Sequence, residues 1–214
     1  MSKDQGQIQI RQLVENWALW RDAGDWTRFA TVWHPDGWMS ATWFQGPAAD
    51  FITASREGFE SGVRILHFLG GHTSDIAGER AVAQTKMTIS QRADVDGVTV
   101  DVMCTGRFYD FLSRSEATGD SAVSDECGGW KIARRQPIYE KDRLDPVDPA
   151  ASLSLDPQLL ARFPVGYCHL GYAQTKAGFT VKEGLPGLTG KAVDRLYEEG
   201  AAWLAGSARP GKVR

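Results

Sequence analysis

Two side chains in this chain of 214 residues are placed where they could exchange a proton with a ligand. In LWRDAGDWTRFATVWHPDGW (19–38), Asp22 continues a row of residues, Val14 and Ala18 before it, that steps by four. The row therefore shares one helix face with Leu13 and Trp17. An apolar face points to a core, and a carboxylate on it costs several kcal/mol unless it is paired or protonated. The alternative is that Asp22 lies at a fraying helix end and caps local amides. His67, in RILHFLGGH, sits near the start of a long alternating stretch. A neutral imidazole is a suitable base near pH 7; the alternative is a core histidine held by the backbone. His72 lies five residues on, so a regular strand would turn it to the opposite side. A bulge at Gly70-Gly71 would restore a common face and make His72 a second pocket candidate. His34 and His169 read as surface or loop residues. No HxH, HExxH or Cys/His cluster is evident, so no metal is expected.

Other groups could shape a pocket around such a base. Arg134 and Arg135 are consecutive, so one faces in and one out, with Asp101 or Asp110 available as ion-pair partners. Tyr109 and Tyr139 could donate hydrogen bonds to a ligand or serve as buried structural tyrosines. Eight tryptophans are many for this length. Trp17, Trp20, Trp38 and Trp43 flank the expected cavity and suit an aromatic ligand through burial and stacking.

The elements that must hold these groups follow from periodicity. Ile10, Leu13, Val14, Trp17 and Ala18 recur at helical spacing over 7–22. Asp25 is a good N-cap for a second helix, with Trp26, Phe29, Ala30 and Trp33 as its stripe. HPDG (34–37) reads as a stop and a turn, and 38–44 as a strand. Pro47 suits the first turn of a third helix, with Phe51, Ala54 and Phe59 inward. After Gly62 the period changes to two, with strands expected at about 65–77, 80–92, 98–112 and 129–137. Asp96-Gly97 is a hairpin signal, and 113–129 reads as a polar loop. Helices followed by a meander of long strands specify an α+β domain: a curved antiparallel sheet with helices on one face and room for a pocket between them. Prolines at 146, 149, 157 and 164 end that pattern. The remainder, with a last helix over 191–204, reads as an extension that packs over the pocket or on a neighbouring subunit.

Composition removes several classes of function. The charge is −3, from 24 Lys and Arg against 27 Asp and Glu, with no basic run, which argues against a nucleic-acid partner. The first residues lack the apolar run of a signal peptide, and no stretch nears the roughly 18 apolar residues of a membrane span. Three cysteines, an odd number with no CxxC, fit reduced thiols and a cytoplasmic protein.

A helix ending in D-x-x-D-W, an apolar helix, W-H-P-D-G, a strand, and G-P opening a third helix together resemble the SnoaL-like group of the nuclear transport factor 2 superfamily. WKIARRQPIYEKDR (130–143) resembles its last core strand. The resemblance covers roughly 7–145 and implies a cone-shaped α+β barrel on three N-terminal helices, so the chain divides into a barrel domain at 1–145 and an extension at 146–214. Cofactor-free lyases of that superfamily, hexachlorocyclohexane dehydrochlorinase and scytalone dehydratase, orient a base histidine with an aspartate on the first helix. Carried over by position, Asp22 matches that aspartate, and Gly46-Pro47 followed by His67 matches the histidine's setting. Arg135 matches a pocket arginine that could bind a leaving group or phenolate. The tyrosines and asparagine of scytalone dehydratase have no clear counterparts. The resemblance implies a lyase without cofactor acting on a hydrophobic aromatic molecule, by dehydration, dehydrohalogenation or retro-aldol loss of formaldehyde from a lignin-derived diaryl propanediol. Isomerase or polyketide-cyclase chemistry, or a binding module without chemistry, are the alternatives on the same fold. A homodimer or homotrimer is expected.

Overall fold

The stripe Ile10, Leu13, Val14, Trp17 and Ala18 is buried along one side of α1 (Lys3–Ala23), none of the five more than 3% exposed. The computed structural model describes residues 3–114 and 127–207, so most of the polar loop expected at 113–129 lies outside the described residues. Asp25 caps α2 (Trp26–Thr31) by accepting the Arg28 amide at 3.1 Å. Phe29 fills the core from this helix, whereas Ala30 is exposed. Pro47 precedes α3 (Ala48–Glu60), which buries Phe51.

Among the described residues six strands form one curved, unclosed sheet in the order β2-β1-β6-β5-β4-β3. β3 (Ile65–Ala77), β4 (Arg80–Val95), β5 (Val98–Arg114) and β6 (Trp130–Pro146) make an antiparallel meander. Asp96 (φ 54°) and Gly97 (φ 83°) form the two-residue turn between β4 and β5, the left-handed pair that such hairpins require. β1 (Trp33–Ser40) joins β6 in parallel, the one departure from the antiparallel pairing expected, and β2 (Gln45–Pro47) pairs with β1.

HPDG is not the turn expected between the second helix and the strand at 38–44. It lies inside β1, where the five steps from Trp33 to Trp38 face only two on β6, from Ile132 to Arg134. Pairing with β6 holds this stretch as a bulge, which tolerates Pro35 without a ladder amide. The second irregularity decides where His72 points. Leu69 pairs with Met87 and His72 with Thr85, so Gly70-Gly71 carry one extra residue and turn His72 to the face of His67.

β3 is an edge strand, and α1 lies along it. Gln7 Nε2 donates to Ser74 O at 3.0 Å at one end, and Arg21 Nη1 donates to Ile65 O at 2.9 Å at the other. An edge strand leaves every second backbone group without a ladder partner. Side chains of α1 take over that role and set the register that puts Asp22 beside His67.

The extension covers both faces of the sheet, so the helices are not confined to one. α4 (Pro157–Leu160) and α5 (Cys168–Lys176) lie at the inner face, burying Tyr167, Leu170, Tyr172 and Ala173. α6 (Lys191–Leu204) lies on the outer face, where Val193, Leu196 and Trp203 pack on Val82, Tyr109, Phe111, Ala133 and Ile138. A Cβ at Gly200 would fall 1.9 Å from the Tyr109 hydroxyl, so only glycine permits this approach. No described helix is long and apolar enough to cross a membrane.

Candidate active site

The α1–β3 seam delivers two groups to one place. Asp22 Oδ1 lies 2.8 Å from Nδ1 of His67, and Oδ2 accepts the backbone N–H of the same residue at 2.5 Å. One carboxylate therefore fixes the strand and the ring together. The pair is nearly enclosed, with side chains 15% and 7% exposed. With its proton on Nδ1, the imidazole carries its lone pair on Nε2, the ring nitrogen left for the cavity that His67 lines. Burial lowers the His67 pKa most. Asp22 opposes this, and the cations Arg21 and Arg135 reinforce it. The ring is thus neutral at pH 7, the state a base needs.

Trp17 stands edge-on to the His67 ring at 5.1 Å, and Phe108 is tilted against it at 6.0 Å. Trp43, Phe51, Met39 and Ile89 continue the apolar wall, and Leu170 and Gln174 of α5 close it. The space between these atoms, mouth included, is about 440 Å³. Polar groups converge on it. Tyr139 is hydrogen-bonded to Thr42, and its pKa is raised far by burial. Trp17 Nε1, Gln91 Oε1 and Gln174 Oε1 are buried with no protein hydrogen bond. Buried polar atoms without partners cost stability.

The other expected residues are dispersed. Trp17, Trp43 and Tyr139 line the cavity, but Trp20 and Trp38 do not. Trp20 lies under the Arg28 guanidinium, 5.7 Å from its ring centre, and Trp38 alternates with the cavity-lining Met39 and so faces away. Tyr109 is on the outer face beneath α6, 5.5 Å from Tyr197, where burial raises its pKa to about 12. His72 shares the face of His67, but its Nδ1 is 2.8 Å from the Thr85 hydroxyl and it does not line the cavity. Arg135 faces in and Arg134 out. Arg135 makes two 2.7 Å bonds to Asp110, both side chains fully buried, and its guanidinium lies over Phe108 (3.9 Å) and Trp17 (4.2 Å). It stiffens the rings of the cavity wall from behind and does not reach the space itself. Arg134 pairs with Glu199 of α6 at 2.6 Å. His169 is in the first turn of α5, not in a loop.

Arg21, Thr42, Gln91 and Gln174 line the cavity without having been singled out in the sequence. The one signal for Gln91 was its place in an alternating strand. Its inward side is fixed only by pairing with Ile65.

Comparisons with known proteins agree with this architecture. The chain is 34% identical over 210 residues to an uncharacterized protein of Emericella nidulans, covering 92% of this chain and 85% of that one. It is 33% identical over 211 residues to pea pathogenicity protein 2 of Fusarium vanettenii, covering 93% and 85%. A solved structure from Novosphingobium aromaticivorans, of a protein named for a suspected scytalone dehydratase activity, superposes with a TM-score of 0.52 at 14% identity, over 72% of this chain and all of that one. That likeness is one of fold. The model of the SnoaL-like domain matches residues 7–136, and the chain belongs to that family.

Proposed function

We propose that the protein is a cofactor-independent lyase in which His67 is the base and Asp22 its positioning partner. The observation that carries the reading is the enclosed 2.8 Å Asp22–His67 contact at the wall of an aromatic cavity. Nε2 takes a proton from the substrate, and the Asp22 carboxylate stabilises the imidazolium that forms. Of the described titratable groups lining the cavity (Arg21, His67 and Tyr139), only His67 changes charge near neutrality. In a dehydration the same imidazolium must therefore return the proton to the departing hydroxyl. The C–H electron pair becomes the new C=C bond and water leaves from the same side, a syn elimination. Tyr139 and Trp17 Nε1–H would donate to the oxygens of a substrate, and the Oε1 atoms of Gln91 and Gln174 would accept from its hydroxyls. The aromatic and aliphatic walls point to an aromatic alcohol. Dehydrohalogenation, and retro-aldol loss of formaldehyde begun by deprotonating a hydroxyl, use the same base. The name of the Novosphingobium protein agrees with dehydration.

In this reading residues 1–145 are the catalytic barrel and 146–214 the piece that closes it, since Leu170 and Gln174 line the cavity. Leu66 and Phe68, 57% and 79% exposed on the outer side of β3, support assembly into a homo-oligomer through the sheet. The test is turnover of small aromatic β-hydroxy carbonyls, aryl diols and halides in deuterated buffer. An enzyme of this kind forms the alkene or aldehyde, and His67→Gln abolishes both product and solvent-deuterium exchange. Binding in the cavity with neither turnover nor exchange would leave a ligand-binding module instead.

A further inference from the structure

A second cluster of reactive side chains lies where β6 meets the start of α5, outside the cavity. Asp142 projects from β6, and Cys168 and His169 are the first two residues of α5. Asp142 Oδ1 is 2.9 Å from His169 Nδ1 and 3.6 Å from Cys168 Sγ, and Sγ is 3.5 Å from the same Nδ1. The Asp142 side chain is fully buried and the His169 side chain 29% exposed. Asp142 Oδ2 is held by the Leu170 amide at 2.8 Å, so a single carboxylate oxygen faces the thiol and the ring.

Two plain readings account for part of this. Asp142 caps α5, which explains the Leu170 bond and nothing about the thiol. A cysteine–histidine nucleophile would need a stabilised thiolate. Burial and then Asp142 do the opposite, raising the Cys168 pKa to about 11. The thiol and the ring both point at one carboxylate oxygen, so ligand atoms of three kinds are held around one point. That is the set of donor atoms a metal ion takes once the thiol is deprotonated.

The distances decide which ion. Zinc bonds sulfur at about 2.3 Å and histidine nitrogen or carboxylate oxygen at about 2.0–2.2 Å, so tetrahedral ligands stand about 3.5 Å apart for S···N and S···O and about 3.3 Å for N···O. The two sulfur edges already have these lengths. The third needs only to open from 2.9 Å to about 3.3 Å as a metal replaces the hydrogen bond. We propose that Asp142, Cys168 and His169 form a zinc site with water as fourth ligand, which staples α5 to β6. A thiolate and an imidazole with one carboxylate favour zinc over the oxygen-seeking magnesium or calcium. The framework is stiff enough to hold such a site. Gly166 lies so close to β6 that a Cβ would fall 2.1 Å from Tyr139 O, and Cys104 Sγ donates to Gly166 O at 3.5 Å. Because Leu170 follows directly and lines the cavity, the staple would fix one wall of the site already described while taking no part in its chemistry.

The full chain, stripped with chelator and titrated with zinc chloride alone, should bind one equivalent, keep it through gel filtration and melt at a higher temperature. Cobalt in its place should give the near-ultraviolet charge-transfer band of a sulfur ligand. Cys168→Ser should lose that band, and His169→Gln, at a partly exposed position that should not affect folding, should weaken zinc binding at least tenfold. Circular dichroism on both variants separates loss of metal from loss of fold. Failure to retain zinc, a cobalt spectrum without the sulfur band, or the same affinity in both folded variants would each overturn the site.

Discussion

Asp22 with His67 and Asp142 with His169 are built on one hydrogen-bond pattern. In each, one carboxylate oxygen meets Nδ1, at 2.8 and 2.9 Å, and the other takes a backbone amide, that of His67 in the first and of Leu170 in the second. The surroundings differ. His67 is 7% exposed between Trp17 and Phe108, with two arginines near enough to lower its pKa. His169 is 29% exposed beside a thiol. The shared pattern positions a ring. What the ring can do is set by its neighbours: on the readings proposed above, an apolar cavity would leave a neutral base, and a thiol would complete a set of metal ligands. An aspartate–histidine contact is thus weak evidence of catalysis until the space at the far nitrogen is known.

The largest effect expected from breaking this contrast is at His67. His67→Gln should lower kcat/KM about 10²–10⁴-fold, the usual worth of general-base catalysis, with the fold intact by circular dichroism. Asp22→Asn should cost less alone. The double variant should be hardly worse than His67→Gln, because residues that act as a unit are not additive. Kinetics of the two single variants and the double variant measure this. If the losses multiply, Asp22 does not act through His67. If Asp22→Asn is near wild type, Asp22 serves only to occupy the edge-strand amide of His67.

The pattern in the sequence went far toward the fold and less far toward the site, and particular residues show why. The α1 stripe, the Asp25 cap and the Asp96-Gly97 turn are local signals that the tertiary structure does not oppose. HPDG carries equally strong turn chemistry, but pairing of β1 with β6 overrides it, and no local pattern reports a partner a hundred residues away. Inward and outward faces depend on register, so one extra residue at Gly70-Gly71 decides the side of His72, and parity alone separates Trp38 from Met39. Cys168 and His169 are neighbours in the sequence. Their third partner, Asp142, lies on β6 and meets them only once the extension folds back. Asp22 and His67 were legible as a pair only through resemblance to a family.

At the second pair the expected effect is on stability. In metal-free protein, Asp142→Asn weakens the acceptor for Leu170 N–H and for His169, a loss comparable to that of a helix N-cap, about 0.5–2 kcal/mol. For a chain of this size that lowers Tm by about 2–4 °C per kcal/mol in a thermal melt. A fall in kcat as large as that of Asp22→Asn would show that the two pairs do not divide structure from chemistry.

The smallest effect is a shift on the pH axis, and it separates the two histidines most cleanly. Burial, Arg21 and Arg135 favour the neutral His67 ring, and Asp22 alone favours the charged one. Protonating Nε2 removes the base, so kcat/KM should be level at neutral and alkaline pH. It should fall tenfold per unit below an apparent pKa that lies under the ordinary histidine value of about 6.5. The sign extends to stability: with the folded pKa lowered, the unfolded chain binds the extra proton first, so stability holds above about pH 6.5 and declines as the pH falls toward the folded pKa. Asp22→Asn removes the one group opposing the shift. The plateau of kcat/KM should drop, and its acid limb should move to still lower pH. Asp142→Asn should leave the limb where it is. A limb above 6.5 in the wild type, or one that moves up in Asp22→Asn, would mean that the group titrating in the cavity is not a neutral imidazole held by Asp22.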